Sequence, residues 1–480
     1  MNLLAAAGLL GFSSGRWVVS IAAWLAPVFL LRFVRNGRAL PRIATAAAAV
    51  YAVGCLTWWG VVPVPPPGYF AIVLAILLPT VLPYVAGRFV PRGGGFVATL
   101  VFPCAWVVTE YAITRSSPYG SWGLVGYTQV DQLSLLQSAA VTGLWGIAFL
   151  IAWTAAVVNW AWELRFEPTS VGRGLWLWAT TLALVFLLGG ARLAFAPPAG
   201  PTVRVASFTL PPGPRLPRHD LLTRPRAGPA LDSLRDELHA HQDSLFAEVR
   251  REAAAGARIV MWSEAGAFVL ADERTAFERR AAQAAREARV ELVTGVAVFT
   301  PGRGYYENML FAFDSSGAPL AAYHKARPVP GDPERGADRD IPVFDGPASR
   351  IAGAVCFDAD FPDLLARAGR ERADLLLIPA SDWRAIDPQH TRMALVRGVE
   401  NGCAVVRQTN QGLSAAADHE GRILASADFF RTTPCVLVAQ VPRRGARTWY
   451  PRFPQLLPLA CGTALAILAA AGWTRRRRSA

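Results

Sequence analysis

Hydrophobic residues are unevenly distributed along this chain, with long apolar stretches before residue 197 and a mixed block from there to about residue 447. Eight stretches are apolar over most of their length: 1–12, 17–34, 43–62, 69–87, 96–113, 138–161, 174–194 and 454–473. Most of them reach the roughly 20 residues that a helix needs to cross the hydrocarbon core of a bilayer. The pattern predicts a polytopic α-helical membrane domain with about eight spans, of which the first is short.

The block from 197 to 447 has a different pattern, in which short apolar runs alternate with segments of helical spacing. Residues 203–208 and 290–296 are typical of strands, whereas charged residues recur among Leu and Ala at helical spacing over 231–255. Such alternation predicts a layered α/β domain. We therefore divide the chain into a membrane domain (1–196), a soluble domain (197–447) and a C-terminal segment with the last span and an arginine-rich tail (448–480).

Arginine placement predicts the orientation of the spans, because positive side chains concentrate in the cytoplasmic loops of membrane proteins. Arginines cluster in alternate connections, at 32–42, 88–92 and 165–173, and in the tail at 475–478. The opposite short connections contain only two, Arg16 and Arg115. This pattern places both termini in the cytoplasm and the soluble block outside it. Much of the net charge of +13 belongs to these loops, so we expect no nucleic-acid partner.

Three arginines depart from this pattern. Arg443, Arg444 and Arg447 lie on the predicted outer side, immediately before the last span. The headgroups of anionic lipids could accommodate their charge there.

Three strand-like runs of the soluble block end in residues that could act together in acyl transfer: Glu264, Lys325 and Cys356. A thiol becomes a nucleophile only as the thiolate, so a base must take its proton, and Glu264 is the candidate. A cation stabilises the oxyanion of a tetrahedral intermediate, and Lys325 is the candidate. A buried structural cysteine and an ordinary ion pair are the simpler interpretations. They do not explain why all three residues follow apolar runs.

Other cofactor chemistry is not indicated. The six cysteines do not form a disulfide framework, no Cys/His spacing suggests zinc, and no glycine-rich loop suggests a nucleotide. We therefore expect neither a metal nor a cofactor.

Glu264, Lys325 and Cys356, in this order and spacing, resemble the catalytic triad of the nitrilase superfamily. The runs 375–383, 389–393, 397–401 and 405–414 resemble that superfamily too. The resemblance implies an αββα sandwich for the soluble domain. It also implies that the backbone N–H of Phe357 assists Lys325, and that Asp332 (or Glu334) and Asp358 support the site. Within or beside the matching runs, we expect Trp262, Trp383 and His390 to contact the substrate.

The membrane part contains one conspicuous connection, residues 116–129, where turn formers alternate with aromatic residues. An aromatic belt with a Gly/Pro turn would have the same composition. With Glu110 before it, and the run 143–149 and Asn159 after it, this segment resembles the apolipoprotein N-acyltransferases. In that family a polytopic membrane domain is joined to an outward-facing nitrilase-like domain and a last span. We expect aromatic residues of the connection to form an apolar floor that binds substrate, namely Tyr119, Trp122 and Tyr127.

The resemblance implies an N-acyltransferase that moves an acyl chain from phospholipid, through a thioester on Cys356, to the N-terminal amine of diacylglyceryl-cysteine on a lipoprotein. The expected partners are therefore a phospholipid donor, a lipoprotein acceptor and the membrane, and we expect a monomer. The expected location is the bacterial cytoplasmic (inner) membrane, with the catalytic domain on the periplasmic side. The chain departs from the family at Ser263, Phe357 and Asp358, where Pro, Tyr and Glu are usual. Two alternatives are a membrane-tethered nitrilase-like amidase or acyltransferase with another acceptor, and a non-catalytic divergent paralogue.

Overall fold

The computed structural model of the protein describes residues 1–198, 200–210, 218–347, 349–432 and 434–479. The chain divides into two compact units. The first combines Met1–Phe195 with Phe453–Ala480, and the second is Ala196–Arg452.

The first unit is helical apart from a short antiparallel hairpin of strands β1 (Ser13–Ser14) and β2 (Trp17–Val18). Its helices up to the second unit are α1 (Asn2–Leu10), α2 (Ser20–Arg35), α3 (Ala39–Thr57), α4 (Gly68–Leu77), α5 (Leu82–Arg88), α6 (Val101–Ser116), α7 (Leu133–Leu136), α8 (Ala139–Thr142), α9 (Leu144–Glu163) and α10 (Pro168–Phe195).

Five helical segments among the described residues are long and apolar enough to cross a membrane: Ala39–Thr57, Gly68–Arg88, Phe96–Ser116, Leu144–Glu163 and Pro168–Phe195. The prediction of a helical membrane domain is confirmed, but the count of eight spans is not. Helix α1 has only 9 residues and α2 has 16, which rise about 14 and 24 Å against a core of about 30 Å. The apolar run 138–161 is divided at Gly143, between α8 and α9.

Several polar side chains inside the first unit pair with groups from neighbouring segments. The Asn159 side chain donates to a main-chain oxygen of α2 at 2.9 Å, and Gln129 donates to the oxygen of Ser20 at 3.0 Å. Arg35 and Glu163 form a buried ion pair at 2.7 Å. Because an unpaired polar group in hydrocarbon costs several kcal/mol, these contacts fix how the helices pack.

The second unit contains two sheets. Its strands are β3 (Thr202–Thr209), β4 (Ile259–Trp262), β5 (Ala267–Leu270), β6 (Glu291–Phe299), β7 (Tyr306–Phe313), β8 (Pro319–His324), β9 (Glu334–Arg335), β10 (Val343–Asp345), β11 (Arg350–Gly353), β12 (Leu375–Ser381), β13 (Ala404–Asn410), β14 (Leu413–Ala417), β15 (Ile423–Asp428) and β16 (Cys435–Pro442). Its helices are α11 (Arg218–Thr223), α12 (Pro229–Ala254), α13 (Arg274–Ala288), α14 (Pro362–Arg370) and α15 (Gln389–Asn401). The last helix, α16 (Leu456–Ser479), belongs to the first unit.

The two sheets form the centre of an αββα sandwich, as predicted. One sheet has the order β16-β3-β4-β6-β7-β8, and the other has the order β10-β11-β12-β13-β14-β15. Apolar residues of both sheets share one core, to which α14 and α15 also contribute. A second core lies between the first sheet and helices α12 and α13. Strands β3, β4 and β6 run parallel, as do β11, β12 and β13, so the ends of β4, β11 and β12 can present polar groups next to the shared core.

Candidate active site

Glu264, Lys325 and Cys356 each follow a strand of the sandwich. Glu264 comes two residues after β4, Lys325 directly follows β8, and Cys356 comes three residues after β11. Their exposed fractions are 6%, 1% and 3%. Lys325 Nζ lies 2.9 Å from Glu264 Oε1, and the charges of both residues act on the Cys356 thiol. The structure therefore brings the three predicted residues into one buried site.

The Lys325 ammonium is held between two carboxylates. Its Nζ atom lies 2.8 Å from Glu334 Oε1 as well as 2.9 Å from Glu264. The Asn308 amide links the two acids, donating at 2.6 Å to Glu264 Oε1 and at 2.6 Å to Glu334 Oε2. Burial opposes the charge of Lys325, but the two glutamates raise its pKa well above the usual range. Lys325 is therefore a fixed cation.

Of the two acids considered as support for the lysine, Glu334 rather than Asp332 contacts it. Asp332 instead lies 3.6 Å from the guanidinium of Arg218. Glu334 begins β9, which pairs with β7, the strand that contains Asn308. Burial opposes ionisation of Glu334, but Lys325 lowers its pKa overall.

Asn308 was not predicted, although an amide at the start of a largely apolar strand is a signal for a polar partner once that strand is buried. Gly295 on β6 was missed as well. A Cβ atom there would overlap the Ser263 carbonyl oxygen and lie 2.8 Å from Glu264 Cα. Glycine at this strand position therefore lets the turn that bears Glu264 approach β6 closely.

The nucleophile candidate lies on a tight, buried turn. Cys356 has φ +46°, a left-handed conformation that costs a residue other than glycine free energy and persists only when its surroundings hold it. Asp358 supplies that support. It accepts hydrogen bonds from the backbone N–H groups of Val355 and Arg327, both at 2.9 Å, and from the Tyr323 hydroxyl at 2.8 Å. Burial raises the pKa of Asp358 to about 7. Asp358 thus connects the cysteine turn to the segment around Lys325.

The Cys356 thiol is protonated at rest. Burial raises its pKa well above the usual range, and the Glu264 and Asp382 carboxylates act in the same direction. Lys325 and Arg407 oppose this shift without cancelling it. The Sγ atom lies 3.5 Å from the Ser381 carbonyl oxygen. Attack by this sulfur therefore requires a base. Of the two carboxylates that hold Lys325, Glu264 is the one whose charge acts on the thiol.

A buried ionic cluster of Asp360, Asp382, His390 and Arg407 lies next to the thiol. Arg407 donates to both oxygens of Asp382 at 2.8 Å, His390 Nδ1 lies 2.7 Å from Asp382 Oδ1, and His390 Nε2 lies 3.3 Å from Asp360 Oδ1. Burial opposes the imidazolium charge, but Asp360 and Asp382 raise the pKa of His390 to about 9. This pKa exceeds the ordinary value of 6.5, so the charged imidazolium contributes its full stabilisation of the fold below about pH 6.5. That stabilisation is lost as the pH rises through about 9.

Two of the predicted substrate contacts, Trp262 and His390, are buried against other groups of the protein, and their role in binding stays a prediction. His390 is 2% exposed and has a carboxylate at each ring nitrogen, so its polar atoms are engaged within the protein. Trp262 is fully buried, packs edge-on against Phe246 and donates to the Gly295 carbonyl at 3.0 Å. Trp383, beside Asp382, is half-buried and remains a predicted contact.

The predicted floor residues belong to the first unit. Tyr119 and Trp122 are half-buried. Tyr127 is buried, and its hydroxyl is 2.6 Å from Ser121 Oγ, which favours a structural role. Substrate binding by Tyr119 and Trp122 remains a prediction.

One group of side chains has the spacing of a metal site, since Cys356, Asp382 and His390 place ligand atoms within 4.8 Å of one another. The Arg407 guanidinium lies 3.0 Å from His390 Nδ1 and pairs with Asp382. Its fixed charge disfavours a second cation there, and we assign no metal to this group.

Comparison with known proteins identifies both units. Residues 222–451 match the family described as Carbon-nitrogen hydrolase, so the second unit is that of a nitrilase-superfamily enzyme. Residues 5–157 match the Apolipoprotein N-acyltransferase N-terminal domain. With both matches on one chain, this protein belongs to the apolipoprotein N-acyltransferase family.

Curated relatives extend over most of the chain. The apolipoprotein N-acyltransferase of Geobacter metallireducens is 27% identical over 431 residues, covering 83% of this chain and 78% of that protein. The corresponding protein of Azotobacter vinelandii is 29% identical over 448 residues, covering 85% and 80%. Among solved structures, an amidase from Nesterenkonia sp. is 19% identical with a TM-score of 0.39, covering 51% of this chain and 92% of the amidase.

Proposed function

We propose that this chain transfers an acyl chain from a phospholipid to the N-terminal amine of diacylglyceryl-cysteine on a lipoprotein, through a thioester on Cys356. The observation that carries the proposal is the buried arrangement of Glu264, Lys325 and Cys356 in a chain of this family. The arginine asymmetry supports a catalytic domain outside the cytoplasm, at a bacterial inner membrane. We further propose that the enzyme acts as a monomer.

In the first half-reaction Glu264 takes the thiol proton, and Cys356 Sγ attacks the ester carbonyl of the phospholipid. The carbonyl oxygen becomes an oxyanion, which the fixed charge of Lys325 stabilises, with the backbone N–H of Phe357 as the proposed second donor. The intermediate collapses as the C–O ester bond breaks and Glu264 returns the proton to the leaving alkoxide. Lysophospholipid departs, and the acyl group remains as a thioester.

In the second half-reaction the acceptor amine attacks the thioester carbonyl. Glu264 takes a proton from the amine as the C–N bond forms, and Lys325 stabilises the second oxyanion. Breaking the C–S bond and returning the proton to sulfur leaves an amide and the free thiol. Because both substrates carry acyl chains, an enzyme anchored in the membrane meets them where they reside.

We expect the protein to accumulate an acyl adduct on Cys356 when it is incubated with phospholipid alone, because a transferase must keep the thioester until an amine arrives. The adduct should be sensitive to hydroxylamine and accompanied by lysophospholipid, both measured by mass spectrometry. A diacylglyceryl-cysteinyl peptide should then discharge it and become N-acylated, whereas the same peptide without the diacylglyceryl group is the control. Release of free fatty acid instead of N-acyl peptide would identify a hydrolase and overturn the transferase proposal.

We also expect Glu334→Gln to slow adduct formation, because it removes one of the two carboxylates that hold Lys325. A hydrogen bond to a charged group contributes about 1.5–3 kcal/mol, which corresponds to roughly a tenfold to hundredfold slower rate if the lysine is displaced. The matched control is Asp332→Asn, since Asp332 contacts Arg218 and not the lysine. Equal rates for the two variants would contradict the assigned role of Glu334.

A further inference from the structure

The second unit contains a large cavity that the proposed reaction does not use. Its volume is about 490 Å³, and it lies between the end of α14, the start of β11 and the segment 443–452. Three of its arginines, Arg350, Arg443 and Arg444, have partners within the unit. Four more, Arg370, Arg372, Arg447 and Arg452, are exposed and form no ion pair among the described residues. We call this cavity the arginine pocket.

The acids of the arginine pocket do not neutralise it. Among the described residues that line it, Asp345 and Asp374 are the ones with carboxylates. Asp345 pairs with Arg350 at 2.7 Å. The Asp374 carboxylate accepts hydrogen bonds from the backbone N–H groups of Arg350 at 3.1 Å and Gly445 at 2.9 Å. It also forms an ion pair with Arg444 at 3.7 Å. The arginines therefore exceed the acids, and the four unpaired guanidiniums provide the fork of N–H donors that phosphate oxygens prefer.

The floor of the arginine pocket is firmly built. The Ala446 N–H donates to the Gly402 carbonyl at 2.7 Å, and a Cβ atom on Gly402 would overlap the Ala446 carbonyl oxygen. The Thr448 hydroxyl donates to the Glu400 carbonyl at 2.7 Å. These contacts hold the segment 443–448 against the end of α15, so the guanidiniums extend from a fixed backbone. Arg372 itself has φ +58°, a conformation in which glycine or asparagine would be the usual residue.

The chain also connects this pocket closely to the last helix. Arg452 precedes Leu456, the first residue of α16, by four positions, so at most about 14 Å of backbone separates them. Trp449, which is 63% exposed, lies between Arg447 and Arg452. Residues Leu456–Ala471 of α16 form an apolar helix, and tryptophan and arginine beside such a helix are typical of the headgroup layer of a bilayer.

The geometry points to a phospholipid site: the arginine pocket binds the phosphate of an anionic phospholipid headgroup, separately from the reacting centre at Cys356. An anionic headgroup complements the excess of guanidinium, whereas the compensated charge of a zwitterionic headgroup does not. Free phosphate shares the same chemistry. The short connection to α16 and the exposed Trp449 favour a lipid headgroup over free phosphate as the ligand.

The test uses the full chain with Cys356→Ala, so that binding is measured without turnover. Native mass spectrometry counts short-chain phosphatidylglycerol per protein in neutral detergent, with phosphatidylcholine and inorganic phosphate as separate arms. Replacing Arg370, Arg372, Arg447 and Arg452 with glutamine should remove one bound phosphatidylglycerol and weaken that site at least about tenfold. Phosphatidylcholine should not occupy it.

The matched control replaces four exposed arginines elsewhere in the unit, Arg250, Arg279, Arg286 and Arg303, with glutamine, giving the same change in net charge. This control should retain the site. The double variant Arg447→Glu/Arg452→Glu gives a second measure if the fourfold variant does not fold. Three results would overturn the inference. The control could lose phosphatidylglycerol binding as much as the pocket variants do, or both pocket variants could bind it unchanged. Inorganic phosphate could also bind as tightly as phosphatidylglycerol.

Discussion

Replacing Cys356 with serine should abolish formation of the acyl-enzyme while leaving the protein folded. A hydroxyl is a far weaker acid than a thiol, and the burial that already raises the pKa of Cys356 would penalise an alkoxide even more. Glu264 could then generate too little of the serine alkoxide for attack on the ester. We expect the rate to fall by roughly 10⁴-fold or more, as is typical when the nucleophile of a covalent mechanism is removed.

The measurement is the acylated fraction of the chain after incubation with phospholipid, together with its thermal unfolding. Cys403→Ser is the matched control, because Cys403 is also fully buried and burial raises its pKa to about 12, but the charges of Glu264 and Lys325 are not among those acting on it. That variant should keep the adduct even if it is less stable. A Cys356→Ser protein that still accumulates a hydroxylamine-sensitive thioester would place the nucleophile on another cysteine.

The layers of the soluble domain and its three reacting residues could be predicted because both follow from local pattern. Strands such as β4 and β12 are short apolar runs between helical segments, and Glu264, Lys325 and Cys356 each follow such a run. Asn308 and Arg407 depend instead on partners that the fold brings from other strands, and so does the choice of Glu334 over Asp332 beside Lys325. Lys325 and Glu334, for example, are joined by a loop whose path no periodicity encodes.

Other features of the structure are not encoded in the local sequence pattern, again for physical reasons. Strand β4 is buried on both faces, so its sequence has no polar alternation to reveal that Trp262 points into the core between β4 and helices α12 and α13. His390 on α15 has the polarity of a site residue, but its charge is matched inside the protein by Asp360 and Asp382. The number of spans is not confirmed, because hydropathy shows how apolar a stretch is and not how long its helix is: α1 has 9 residues and α2 has 16.

We expect the largest loss of stability from a substitution in the ionic cluster. Arg407 lies on the central strand β13, is fully buried, and donates through both terminal nitrogens to Asp382. Arg407→Met should lower the free energy of unfolding by about 3–5 kcal/mol, because it removes the guanidinium that neutralises the buried Asp382 carboxylate. A domain of this size loses roughly 2–4 °C per kcal/mol, so the melting temperature of the full chain in detergent should fall by at least about 6 °C.

Arg431→Met is the matched control, since Arg431 also pairs with an aspartate, Asp428 at 3.2 Å, but on an exposed surface. Its melting temperature should not change measurably, because solvent screens such a pair. The double variant Arg407→Met/Asp382→Asn should recover part of the lost stability, since the orphaned carboxylate is gone. If the double variant is no more stable than Arg407→Met alone, the cost comes from lost packing of the arginine and not from an uncompensated buried charge.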